Sequence, residues 1–328
     1  MDNSRFYAAA CQTDFPAAES RSDIPLRVDR MCEIIEQTIS GYEPFFDVRL
    51  LAFPEFAHAI PAYPTVAELL DKLAVPIPNE HTERYCKLAE KLGCYIQTGS
   101  FIELDEAYPG HVFNTTVLIG PTGILSRYRK VNTWIPWEVH SSPHDITGYN
   151  EDPFPVADTE LGRIAVATCY DWLFPETIRE LAFRGAEILI RISAYMDPWG
   201  ATVPMDWWTL VNRTRALENT AYVVAANQGA AMRNYPPFSW PGGSMVVDYD
   251  GRILAQADPG PGEKVVVAPI DIGSLRSERD RRMGHDTRAH TRSEMYSYLD
   301  RGYLHPAGEV PVIESIQSRI KDAKGRLQ

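Results

Sequence analysis

The 328-residue sequence predicts a mixed α/β fold with strands inside and helices outside. Two observations point there. Short apolar runs recur along most of the chain with amphipathic stretches between many of them, the pattern of βαβ units. Other runs come in pairs around tight Gly- or Pro-containing turns, the pattern of hairpins. At 45% hydrophobic and 11% aromatic, the chain can fill a sizeable core. It has no internal repeat and no low-complexity linker, so one large unit is the simplest organisation.

The elements follow in order. Residues 6–11 read as a strand, and 25–40 as a helix with Leu26, Val28, Met31, Ile34, Ile35 and Ile39 near helical spacing. A second strand, 48–53, ends at Pro54. Residues 81–92 read as a helix and 95–102 as a strand. The runs 113–119 and 124–130 form a hairpin around Gly120-Pro121-Thr122-Gly123. A buried strand at 163–168 leads to a helix at 175–184, with Pro175 in its first turn and Gly185 just past its end. A strand at 187–192, a helix at 204–219 and a strand at 222–227 come next. A hairpin, 244–248 with 252–256, and a last strand, 264–270, complete a domain spanning residues 1–273. Residues 274–328 turn charged and polar, and read as a C-terminal extension that packs on the domain or on an oligomer partner.

Charge and cysteine usage exclude several classes. The formal net charge is −12, so the basic footprint of a nucleic-acid binder is missing. No apolar run approaches the roughly 20 residues that cross a bilayer, and residues 1–15 lack the pattern of a secretory signal. The five cysteines, Cys11, Cys32, Cys86, Cys94 and Cys169, are odd in number, widely spaced and without a CxxC pair. Reduced thiols in a cytoplasmic protein fit best. The glycosylation-like triplets at Asn114 and Asn212 are then chance matches.

Three segments each put a reactive side chain just beyond a buried strand, where chemistry in α/β architectures collects. Phe53-Pro54-Glu55 places a carboxylate at the edge of a dry pocket, where it can serve as a base; on the segment alone a solvated loop glutamate is the better reading, since acidic residues are mostly exposed. Tyr128-Arg129-Lys130 places an ammonium that can hold charge on an oxyanion, although a basic strand edge also discourages aggregation. Thr168-Cys169-Tyr170-Asp171 places a cysteine at a strand-to-helix turn, with the Tyr170 N–H positioned for the same oxyanion; a free cysteine is also a common small core residue. Together the three supply base, stabiliser and nucleophile, the parts of an acyl-transfer site.

These segments, with Phe174-Pro175-Glu176, resemble the three signature segments of the nitrilase superfamily of carbon–nitrogen hydrolases, in that family's order. Cys11-Gln12, Phe113-Asn114-Thr115, Arg184-Gly185-Ala186-Glu187, Arg215-Ala216-Leu217-Glu218-Asn219 and Asn227 extend the resemblance over about residues 6–300. It implies an α-β-β-α four-layer sandwich that dimerises through the helices after the cysteine. It implies Glu55 as base, Lys130 as transition-state stabiliser and Cys169 as nucleophile, with a thioester intermediate and no metal or organic cofactor. Glu138, eight residues past Lys130, is similar in placement to the second glutamate of amidase members.

The bond cleaved is narrowed by what surrounds the cysteine. True nitrilases usually follow it with Trp-Glu, whereas this chain has Tyr170-Asp171. Hydrolases of N-carbamoyl amino acids often place an arginine shortly after it; here Trp172 and Leu173 stand there, and bidentate recognition of a carboxylate wants arginine. Residues 191–196 resemble the strand end of aliphatic amidases and formamidases. A neutral amide is therefore the expected substrate, with a nitrile, an N-carbamoyl compound or a non-catalytic binding role as alternatives. Trp134, Trp137, Trp172, Tyr195 and Trp199 are candidates for the pocket wall, while Trp207 and Trp208 suit core or interface packing. His285 and His290 fit a packing role better than a metal site, and Gly242-Gly243-Ser244 lacks the flanks of a serine nucleophile.

Overall fold

A computed structural model describes residues 4–134, 138–196, 202–231 and 240–299. Thirteen strands run through them in chain order: β1 (Arg5–Gln12), β2 (Val48–Ala52), β3 (Tyr95–Gln97), β4 (Phe101–Glu103), β5 (Phe113–Gly120), β6 (Gly123–Arg129), β7 (Ala157–Thr159), β8 (Gly162–Thr168), β9 (Ile188–Ser193), β10 (Tyr222–Asn227), β11 (Met245–Val247), β12 (Ile253–Gln256) and β13 (Lys264–Asp271). The helices are α1 (Ile24–Tyr42), α2 (Val66–Lys72), α3 (Glu80–Leu92), α4 (Pro175–Phe183), α5 (Trp207–Asn219), α6 (Ile272–Arg281) and the single turn α7 (Thr287–His290).

The strands form two sheets. One has the order β13-β1-β2-β3-β5-β4 with β6 paired to β5; the other has the order β12-β11-β10-β9-β8-β7. Each has a parallel centre, β1-β2-β3 in the first and β8-β9-β10 in the second, flanked by antiparallel neighbours. The period-2 alternation of β1 explains how the layers stack. Ala8 and Ala10 pack inward with Ile164, Val166, Ile190 and Val224 of the second sheet. Ala9 and Cys11 face the other way, with Val28, Met31 and Ile35 of α1 and Tyr85 of α3. Ile178 and Leu181 of α4 and Ala216 of α5 pack with the second sheet. The result is the four-layer α-β-β-α sandwich.

Local chemistry sets the element ends. Asn79 caps α3 by accepting from the N–H groups of His81 and Thr82, and Gly93, at φ 63°, ends it. The expected strand 95–102 is two strands, because Thr98, Gly99 and Ser100 step around the loop after β2: a Cβ on Gly99 would lie 2.2 Å from the Pro54 carbonyl oxygen. The expected helix 204–219 starts at Trp207, where Asp206 caps it. The short α2 and β7 went unpredicted, being too brief to display a period.

No break occurs at Gly273. It lies inside α6, whose Ile272 and Leu275 are buried in the main core. The charge of this segment is anchoring: Arg276 holds Glu187 at 2.6 and 2.9 Å, and Arg279 donates to the carbonyls of Thr220 and Ala186. Among the described residues no helix is long and apolar enough to cross a membrane.

Candidate active site

Glu55 follows β2 at a forced turn. Pro54 ends the strand, Phe56 takes φ 59°, and the Phe56 N–H donates to the Ser100 hydroxyl at 2.8 Å. The carboxylate is 1% exposed. Its Oε1 accepts from Lys130 Nζ at 2.8 Å and from the Asn114 amide at 2.9 Å, and its Oε2 accepts from the Ala194 N–H at 3.0 Å. Three donors from three strand ends fix the group in one rotamer.

Lys130 stands one residue past β6, its N–H bonded to the Asn114 carbonyl at 2.9 Å. Its ammonium also donates to Glu138 Oε1 at 2.7 Å, while Glu138 Oε2 accepts from the Trp134 N–H at 2.6 Å. Burial works against the charge on Lys130, but Glu138 and Glu55 outweigh it and hold the ammonium protonated. The two carboxylates thus aim and neutralise one cation inside the protein.

Cys169 opens the 3-10 turn Cys169–Leu173 directly after β8, at φ 48°. A left-handed conformation in a residue with a Cβ is strained, and strain of this kind collects at functional sites. Burial, reinforced by Glu55, pushes the thiol up to about 12, against the opposing pull of Lys130, Ser193 and Arg191. The resting group is a thiol, so a base must accompany its use.

These side chains meet in one cavity of about 240 Å³. Glu55, Lys130, Glu138 and Cys169 supply its polar groups; Phe56, Trp134, Leu173, Tyr195, Met196 and Trp207 supply apolar walls, and Tyr170 lines it beside the cysteine. Tyr195 is held by Asn227, whose side-chain oxygen accepts from its N–H at 2.8 Å.

Trp172 is a correction. It is 0% exposed and stands in the core, its indole N–H donating to the Ala167 carbonyl at 3.0 Å, away from the cavity lining. The 3-10 turn points Tyr170 and Leu173 to the cavity and Trp172 inward. Trp207, expected to pack elsewhere, instead lines the cavity. Trp137 and Trp199 lie outside the described residues. His290 Nε2 contacts the Met283 carbonyl at 3.2 Å, and no cluster of three metal-ligating side chains exists among the described residues.

Two polar residues were present in the motifs without an assigned role. Asn114 donates to Glu55, as above. Asp171 accepts from Tyr128 Oη at 2.7 Å, from the Asn132 N–H at 2.7 Å and side-chain amide at 3.0 Å, and from the Thr168 N–H at 3.0 Å. Tyr128 and Asn132 bracket Lys130, so Asp171 ties the lysine segment to the cysteine turn. Buried His140 lies 6.4 Å from the Phe56 ring; burial, helped by Lys130, pulls it down to about 3 and leaves it neutral.

Comparison with known proteins gives the family and the fold. The family model described as carbon-nitrogen hydrolase matches residues 7–280. A formamidase of Bacillus cereus (strain Q1) is 31% identical over 334 residues, covering 99% of this chain and 89% of that protein. Nit3 of Saccharomyces cerevisiae, a member of branch 10 of the nitrilase superfamily, superposes with a TM-score of 0.70 at 24% identity, over 85% of this chain and 95% of that one. A carbon-nitrogen hydrolase of Helicobacter pylori G27 gives 0.71 at 20% identity, over 91% and 99%. With its sandwich fold, the model match over most of its length and a relative above 30% identity, the chain belongs to the carbon–nitrogen hydrolase family.

Proposed function

We propose that the protein is an amidase, which hydrolyses a neutral linear amide to a carboxylic acid and ammonia through a thioester on Cys169. The observation that carries this reading is the Lys130 ammonium, held at 2.8 Å by Glu55 and at 2.7 Å by Glu138 in the cavity that Cys169 lines. The formamidase relative supports an amide as the substrate class.

Glu55 takes the proton from the Cys169 thiol as sulfur attacks the amide carbonyl carbon. The carbonyl π electrons move to oxygen, where Lys130 and the Tyr170 N–H stabilise them. Glu55 returns the proton to nitrogen as the C–N bond breaks, and ammonia leaves. Glu55 then takes a proton from water, whose oxygen attacks the thioester carbonyl. Collapse expels sulfur, which recovers the proton from Glu55, and the acid departs. Glu138 keeps Lys130 in position. A neutral substrate follows from the lining: among its described residues Lys130 is the sole cation, and two carboxylates already neutralise it.

The same reading extends to the assembly and compartment. Phe183 of α4 and Leu210 and Leu217 of α5 are 53%, 60% and 53% exposed on the outer helical layer, an apolar surface that suits a homodimer. Five unpaired cysteines suit a reducing cytoplasm.

Ammonia release from aliphatic and aromatic primary amides, the matching nitriles and N-carbamoyl amino acids tests the substrate class. Turnover of amides alone, abolished in Cys169→Ala, is the expected result. Turnover confined to nitriles or carbamoyl compounds would overturn the amide reading.

A further inference from the structure

Arg191 is a buried charge that the amide chemistry leaves unused. It lies on β9, is 0% exposed, and forms no ion pair with a carboxylate among the described residues. Nη1 donates to the Asn212 side-chain oxygen at 2.9 Å; Nε and Nη2 have no hydrogen-bond partner among the described residues. Three aromatic rings box the guanidinium, with centroids 4.4 Å (Trp208), 5.2 Å (Tyr195) and 5.5 Å (Trp172) from its Cζ. Ring faces attract a cation, yet a buried charge without a counter-ion is costly, and an apolar side chain would fill such a box without that cost. The box therefore keeps a positive charge where packing does not require one.

The position of the charge indicates its use. β9 runs parallel to β8 with Arg191 opposite Ala167, two residues before Cys169. Trp172, one wall of the box, belongs to the turn that Cys169 opens and bonds back to Ala167. Tyr195, a second wall, lines the cavity. Ser193, two residues past Arg191, shares its face of β9 and is likewise fully buried. The charged and titratable groups facing Cys169 are Glu55 after β2, Lys130 after β6, Arg191 on β9 and Tyr195 beyond it, with Arg215 of α5 facing Arg191. Lys130 is already bonded to two carboxylates. Arg191 is not.

We propose that Arg191 is a second cation of the nucleophile site, a positioning residue that steadies the Cys169 thiolate while Lys130 serves the substrate oxyanion. Burial pulls the guanidinium down to about 10 with Cys169 opposing that pull, as mutual attraction requires. The inference rests on Cys169 as the nucleophile, but not on the identity of the amide.

The test is the second-order rate of iodoacetamide labelling at Cys169 between pH 6 and 9.5, read peptide by peptide, in wild type, Arg191→Met, Arg191→Gln and Arg191→Lys. Half-buried Cys32 and Cys86 act as internal controls. Neutral substitutions are expected to slow Cys169 roughly three- to tenfold, since a one-unit rise in thiol pKa lowers the thiolate fraction tenfold and stronger nucleophilicity recovers part of that. Arg191→Lys is expected to stay within about twofold of wild type, a rescue that a packing role does not give. A wild-type rate in a folded Met or Gln variant overturns the inference. If neither folds, Arg191→Lys decides: a wild-type rate supports the inference and a slowed one overturns it. Failure of the nucleophile assignment looks different, as wild-type Cys169 labelling no faster than Cys32 or Cys86.

Discussion

Tyr128 donates its hydroxyl to Asp171 at 2.7 Å, a bond that joins the strand leading to Lys130 to the turn that carries Cys169. Both residues are fully buried, and neither lines the cavity. Tyr128→Phe removes the bond and little else. The expected loss of stability is about 1 kcal/mol, while kcat falls roughly ten- to a hundredfold because stabiliser and nucleophile drift in register. Steady-state kinetics beside a denaturant melt checks both; an unchanged kcat would remove the tether from the account.

Asp171 also gives a pH signature. Burial, opposed by Lys130, Tyr128 and backbone donors, raises its carboxyl from the usual 3.8 to about 6. Between those values the folded state binds the extra proton, so this group's contribution to stability falls as pH rises from about 4 to 6. Asp171→Asn has no such proton. The stability of wild type minus that of the variant should therefore decline across that window, as read by urea unfolding at pH 4, 5, 6 and 7.

Lys130 and Glu138 separate structure from chemistry. Lys130→Met leaves Glu55 and Glu138 buried without their cation, and should cost about 3–5 kcal/mol as well as activity. Glu138→Gln keeps the shape and an acceptor for the Trp134 N–H, but frees Lys130 from one of two anchors. It should melt near the wild type and lose kcat by roughly tenfold or more, as thermal melts and initial rates will tell.

The two tryptophans should behave oppositely. Trp172→Phe loses a buried hydrogen bond to Ala167 and should lower stability by about 1–2 kcal/mol, with acyl preference unchanged. Trp207→Ala opens the cavity wall at a 39% exposed residue, and should shift KM among short and long acyl chains with little effect on melting. Comparing KM ratios across an acyl series with melting temperatures distinguishes them.

The sequence made the polar floor of the site legible because each reactive residue there stands just past a strand: Glu55 after β2, Lys130 after β6 and Cys169 after β8. The apolar run at residues 6–11 likewise announced β1, while the two layers its alternate residues meet became visible only in the fold. What stayed hidden depended on contacts distant in sequence. The Gly99 step is visible only once the Pro54 carbonyl occupies the space of its Cβ. Trp172 and Trp207 exchanged expected roles because a 3-10 turn and a helix start, neither periodic, decide where each ring points. The segment after Gly273 read as a tail because its arginines look solvated, whereas their partners, Glu187 and two carbonyls, lie about 60 to 90 residues earlier.

The account turns on a covalent bond to Cys169. Rapid acid quench of the enzyme during turnover of a good amide, followed by peptide mapping, measures it directly. The expected result is an acyl mass increment on the Cys169 peptide, released by hydroxylamine and absent from Cys169→Ala, which also yields no ammonia. Ammonia release undiminished in Cys169→Ala would contradict the thioester mechanism outright.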